Sequence, residues 1–169
     1  MLSYAILLAA STVLAAEPTG IPKEALEEMG YRVGKWESNL IIDGVEQGTR
    51  FREVTEWAPG GMYCLRIYQT GVENGVTRHG AGTAGWDPKA KQLVERWHVS
   101  DGVYVSYRYH IDKEKNAWVG TFRYADTEGK TTEGKSVVEK KSNDEWAWKA
   151  SWVEDGKERT RSCVSRRIK

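Results

Sequence analysis

Turn dipeptides punctuate this chain at a nearly constant interval. Asp43-Gly44, Asn74-Gly75, Asp101-Gly102 and Asp155-Gly156 recur along it, and Asp126 to Gly129 is a longer version of the same signal. Asn-Gly and Asp-Gly supply the positive φ angles of type I′ turns, whose twist matches a two-residue hairpin. Looser connectors fall between them: Pro59-Gly60, Asp87-Pro88-Lys89, Asp112 to Lys115 and Ser142-Asn143. The segments so delimited are rich in strand formers and lack helical periodicity. They predict ten strands, at 33–42, 48–57, 62–71, 76–86, 92–99, 104–111, 117–124, 132–140, 145–153 and 157–166. Tight turns pair each strand with its sequence neighbour. An up-and-down sheet this long closes on itself or leaves long reactive edges. The expected fold class is therefore all-β: an antiparallel meander of about ten strands closed into a barrel.

One helix is expected before the strands. Pro22-Lys23-Glu24-Ala25-Leu26-Glu27-Glu28-Met29-Gly30 carries Pro in its first turn, acids near its start and Gly as a stop. The tight turns follow every other strand and so gather at one end of a meander. The helix and the looser connectors share the other end, which the helix plugs. The tight-turn end is then the expected mouth, with a portal beside the helix as an alternative.

Residues 1–16 have the layout of a secretory signal peptide. An apolar run from Ala5 to Leu14 is followed by small residues at Ala15 and Ala16 and then by Glu17-Pro18. The run is shorter than the ~20 residues of a membrane span. The expected organisation is a signal peptide at 1–16, a linker and short helix at 17–32, and the barrel at 33–169. Export to the periplasm or beyond follows, with no transmembrane span after cleavage. The formal charge of +1, without long like-charge runs, gives no support to nucleic-acid binding. Eight Trp and eight Tyr against two Phe favour side chains with an apolar body and a polar handle, which suit barrel walls and ligand pockets.

The turns also predict register. With Asp155-Gly156 as a two-residue loop, Trp152 faces Arg159, Ala150 faces Arg161, Trp148 faces Cys163 and Trp146 faces Ser165, all on one side of the sheet. That side is the better interior, with arginines placed for cation–π contact. Pro59-Gly60 as a loop pairs Trp57 with Met62, Thr55 with Cys64, Glu53 with Arg66 and Phe51 with Tyr68. Asp43-Gly44 pairs Phe51 with Trp36. If this face is internal, Glu53–Arg66 is a lumen ion pair. The same logic at Asp101-Gly102 sets Glu95 opposite Arg108, and His98 and His110 on opposite faces. The candidate ligand-binding residues are thus Trp36, Phe51, Glu53, Arg66, Tyr68, Trp148, Trp152, Arg159 and Arg161.

Cys64 and Cys163 both map to the helix end. In an exported chain they are candidates for one disulfide. Against this, strands three positions apart in a sheet lie about 14 Å from each other, and a bridge needs Cα atoms within roughly 7 Å. Two buried free thiols are the alternative.

Gly34-Lys35-Trp36 resembles the Gly-x-Trp signature in the first strand of lipocalins and related calycin barrels. In that family the Trp packs at the closed end beneath an Arg from the last strand, so Arg166 or Arg167 would match it. A longer resemblance is to lipocalin-like families of exported bacterial proteins of unknown function. It is carried by the helix leading into Gly34-Lys35-Trp36, by Ala84-Gly85-Trp86-Asp87-Pro88, by Lys91 to Trp97 and by Ser100-Asp101-Gly102. It implies a barrel of eight to ten strands around a cavity and no particular activity.

No phosphate loop, metal-spaced cysteine cluster or nucleophile elbow occurs. His79, His98 and His110 lack partners at metal-ligand spacing, and no cofactor is implied. The leading expectation is a non-enzymatic barrel binding a partly hydrophobic small molecule. The alternatives are a small isomerase- or hydrolase-type enzyme using interior Glu, Arg and Tyr, and an envelope interaction module with a solid core.

Overall fold

A computed structural model describes residues 20–60, 63–73 and 75–169. The expected signal peptide, Met62 and Asn74 lie outside the described residues. The elements run α1 (Lys23–Arg32), β1 (Gly34–Ile42), β2 (Val45–Trp57), β3 (Leu65–Glu73), β4 (Val76–Asp87), β5 (Gln92–Val99), β6 (Tyr104–Asp112), β7 (Ala117–Ala125), β8 (Thr131–Ser142), β9 (Glu145–Glu154) and β10 (Lys157–Arg167). Each strand pairs antiparallel with its neighbour, and β10 pairs with β1 to close the barrel.

Side chains at the closing seam take over where the ladder is irregular. The β1–β2 register shifts between Asn39 and Ile41. Asn39 Oδ1 accepts from Val164 N at 3.0 Å, and Asp43 Oδ1 accepts from Thr160 N at 2.8 Å. Ser38 and Ser165 share a buried hydroxyl hydrogen bond of 2.6 Å across the same seam. The two hydroxyls would otherwise be buried without partners, at a cost comparable to a lost hydrogen bond.

The helix closes the end opposite the tight turns. It runs past Gly30 to Arg32, two residues beyond the expected stop, because both added residues are anchored. Tyr31 Oη donates to Ser142 O and Glu145 O at 2.8 and 2.9 Å, and Arg32 reaches into the barrel. Ala25, Met29 and Arg32 form the helix's buried face at i, i+4 and i+7. Glu28 accepts from Trp118 Nε1 at 2.7 Å and from Lys140 Nζ at 2.6 Å, which ties the helix to β7 and β8.

The β9–β10 register is as expected, with Trp152, Ala150, Trp148 and Trp146 opposite Arg159, Arg161, Cys163 and Ser165. Three other registers differ. In β2–β3 the partners are Phe51 with Gly71, Glu53 with Gln69 and Thr55 with Ile67. The connector spans 58–64 rather than two residues, and the odd-numbered shift turns Arg66 and Tyr68 to the outer face. In β5–β6, Glu95 pairs with Tyr107 rather than Arg108. Val99 N bonds to Val103 O, so Ser100-Asp101-Gly102 is a three-residue loop with Gly102 at φ 87°. In β1–β2, Trp36 pairs with Glu53 and Phe51 with Ser38. That shift is of two residues, so Trp36 and Phe51 keep the interior face.

Candidate functional site: a charged-floor cavity

The lumen holds a cavity of about 420 Å³ that reaches from Arg32 to the tight-turn end. Small residues on the wall make room for aromatics. A Cβ at Gly82 would stand 2.8 Å from the Trp97 ring, and one at Gly134 would stand 2.6 Å from Phe122. These glycines let bulky rings lie flat against the sheet instead of filling the centre.

The floor is ionic. Arg32 Nη2 donates to Glu53 Oε1 at 2.9 Å, and both side chains are almost fully buried, 4% and 2% exposed. Thr55 Oγ1 donates to the same Glu53 oxygen at 3.0 Å. Glu95 Oε2 stands 4.0 Å from Arg32 Nη1, beyond hydrogen-bonding distance. Trp97 Nε1 donates to Glu95 Oε1. The Arg32 guanidinium also lies over Trp146 at 4.3 Å and near Trp118 at 5.7 Å. Burial opposes the Arg32 charge, but Glu53 and Glu95 outweigh it and hold the guanidinium above its ordinary range. Burial pushes the Glu95 carboxyl up; Arg32 and Trp97 oppose the shift, and the Glu53 charge adds to it.

Aromatics form the middle. Tyr107 stacks on Tyr109 at 5.7 Å and 7° and meets Trp148 edge-on at 6.3 Å. Phe122 packs edge-on against Trp152 at 6.1 Å. Ser136 Oγ joins Tyr109 Oη and Trp148 Nε1, each at 2.9 Å. Burial, with the Glu95 charge second, raises the Tyr107 and Tyr109 hydroxyls above their ordinary values. Burial likewise pushes the Cys163 thiol up to about 11.

The mouth is ionic again, but wet. Arg78 meets Asp101 at 2.9 Å and Glu73 at 3.4 Å, and Arg161 meets Glu73 at 3.5 Å. Glu154 and His79 complete the rim. Along the whole lining, carboxylates outnumber guanidiniums by two.

Of the expected site residues, Phe51, Glu53, Trp148, Trp152 and Arg161 line the cavity. Trp36 is fully buried at the closed end, where Arg167 lies 4.1 Å over its ring. Arg167 also donates to Val33 O and Tyr31 O at 2.7 and 3.0 Å. Of the two arginines at the end of β10, Arg167 is the one that covers Trp36, while Arg166 pairs with Glu145. Arg159 pairs with Asp43 at 3.0 Å rather than stacking on an indole.

Arg66 and Tyr68 do not belong to the site: Arg66 bonds Glu56 on the outer wall at 2.7 Å, and Tyr68 is 49% exposed. The expected Glu53–Arg66 lumen pair is replaced by Glu53–Arg32. Cys64 and Cys163 are free thiols, and no bridge joins them. His98 and His110 share the outer face rather than opposing ones. They sit six ladder steps apart, roughly 20 Å at about 3.3 Å per residue. No group of potential metal ligands occurs among the described residues.

Sequence reasoning missed Arg32 because it ended the helix at Gly30. The signal was the i, i+4, i+7 spacing of Ala25, Met29 and Arg32, which puts an arginine on the face that must be buried.

No protein-family model matches the chain, and no curated protein matches it. Solved structures similar to it include EF1p2_mFAP2b bound to DFHBI, at 11% identity, TM-score 0.47, 85% of this chain and 99% of that one. A redesigned beta barrel, b11L5F_LGL, is similar at 10% identity, TM-score 0.42, 83% of this chain and 95% of that one. Likeness at this level assigns no function.

Proposed function

We propose that this chain is an exported, lipocalin-like barrel that binds one small, partly apolar molecule in its lumen. The supporting observation is the cavity of about 420 Å³ with an aromatic middle and charged ends. Small-molecule sites commonly fall between roughly 300 and 1,000 Å³ and combine apolar walls with a few placed polar groups. Burying apolar ligand surface against such walls contributes about 25 cal/mol per Å². Export is supported by the apolar leader at 1–16, and the lipocalin-like reading by Arg167 over Trp36. The hollow lumen does not fit a solid-core interaction module.

Titrating the protein with a panel of hydrophobic dyes and haem while following Trp fluorescence tests the proposal. Saturable quenching at one site per chain is expected, because Trp97, Trp148 and Trp152 all line the cavity. Absence of quenching by every probe would overturn it.

The small-enzyme reading keeps one supporting observation, the raised Glu95 carboxyl beside the stacked tyrosines. Screening ester, lactone and enolisable carbonyl substrates against the wild type and Glu95→Gln tests it. Turnover that vanishes in the variant supports an enzyme; turnover equal in both, or none, rejects it.

A further inference from the structure

We infer that the lumen selects organic cations: a molecule with an aromatic or bulky apolar body and one protonated amine, held amine-inward with the ammonium at Glu95. This deepens the ligand-binding reading above and rests on it.

The charges of the cavity are not equally occupied. Glu53 is closely paired, its Oε1 taking both Arg32 at 2.9 Å and Thr55 at 3.0 Å. Arg32 is engaged by Glu53 and flanked by Glu95. At the mouth, Arg78 and Arg161 are both drawn to Glu73, and Arg78 also to Asp101. Every guanidinium on the lining thus already faces a carboxylate, so an anionic ligand would meet no free cation and an excess of negative charge. Arg32 Nε and Trp146 Nε1 have no partner, but both are closed off from the lumen and offer no anion site.

Among the buried carboxylates of the lining, Glu95 stands farthest from a guanidinium. Its Oε2 lies 4.0 Å from the nearest guanidinium nitrogen and lines the cavity. A carboxylate has acceptor capacity for about four hydrogen bonds, and Trp97 supplies one. Burial penalises this charge, and a cation hydrogen-bonded to it offsets that penalty against the cost of its own desolvation. The rings of Tyr107, Phe122 and Trp148 line the cavity above the floor and accommodate an aryl body.

Calorimetric titration of the full chain with three isosteric probes tests the inference: 1-naphthylmethylamine, 1-naphthylmethanol and 1-naphthoate. The expected result is that the amine binds at least about tenfold tighter than the alcohol, the alcohol tighter than the acid, in line with a charge-assisted hydrogen bond. Glu95→Gln should abolish the amine's advantage over the alcohol. The wild-type ranking stands alone if the variant does not fold. Equal binding of amine and alcohol, tighter binding of the acid, or an amine preference that survives Glu95→Gln overturns the inference. In those cases quenching by the hydrophobic dyes leaves the cavity reading standing; no binding by any naphthyl probe or dye removes both.

Discussion

The two ends of the barrel use the same chemistry in different solvents. At the floor, Arg32 joins Glu53 and Glu95 with side chains no more than 8% exposed. At the mouth, Arg78 and Arg161 join Glu73 and Asp101 with the guanidiniums 36% and Asp101 33% exposed, Glu73 alone being buried at 9%. Buried charges carry a desolvation penalty of several kcal/mol each and persist only while every partner is present. Exposed pairs are screened and contribute little. The floor is therefore a rigid, all-or-none element, and the mouth can exchange partners at small cost. On the proposed binding function, specificity would lie at the bottom and adaptability at the entrance.

The largest test of this contrast is Arg32→Met. Two buried carboxylates lose their cation at once, and a loss of about 3–5 kcal/mol is expected in denaturant unfolding. An effect below about 1 kcal/mol would mean the floor is wetter than the geometry shows. Next is Arg167→Ala, which removes charged donors from Tyr31 O and Val33 O and uncovers Trp36. A loss of roughly 1.5–3 kcal/mol is expected.

The third test is pH. The Glu95 carboxyl is raised from 4.5 in the folded state, so the folded protein holds this proton more tightly than the unfolded chain. That contribution is fully present below the unfolded value and is lost as pH rises through the folded one. Thermal stability should fall over that window in the wild type, and Glu95→Gln should flatten the fall. The smallest effect belongs to the mouth. Arg78→Ala should change stability by no more than about 1 kcal/mol, with a difference that shrinks in added salt. A large, salt-insensitive loss there would erase the distinction between the two ends.

How much of this was legible in the sequence depended on the turns. Asp155-Gly156 is a true two-residue loop, and the β9–β10 register follows from it residue by residue. Pro59-Gly60 sits inside a longer connector, and Asp101-Gly102 is two-thirds of a three-residue loop. A turn dipeptide marks where a strand ends, not how many residues the loop consumes. A miscount by an odd number moves every side chain to the other face, as it did for Arg66 and Tyr68. Asp43-Gly44 is itself a two-residue loop with Ile42 opposite Val45; the offset at Trp36 and Phe51 enters at the irregularity between Asn39 and Ile41, and because it is of two residues both stay inside.

The sequence by itself determined the meander, the single helix and the aromatic interior of β9, because turn geometry and side-chain alternation are local properties of the chain. Only the tertiary structure decided which charges meet. Arg32 is 21 residues from Glu53 and still farther from Glu95, and their encounter depends on where closure of the barrel sets the helix. No local periodicity carries that distance, because a buried ion pair is selected by the space left inside the closed sheet.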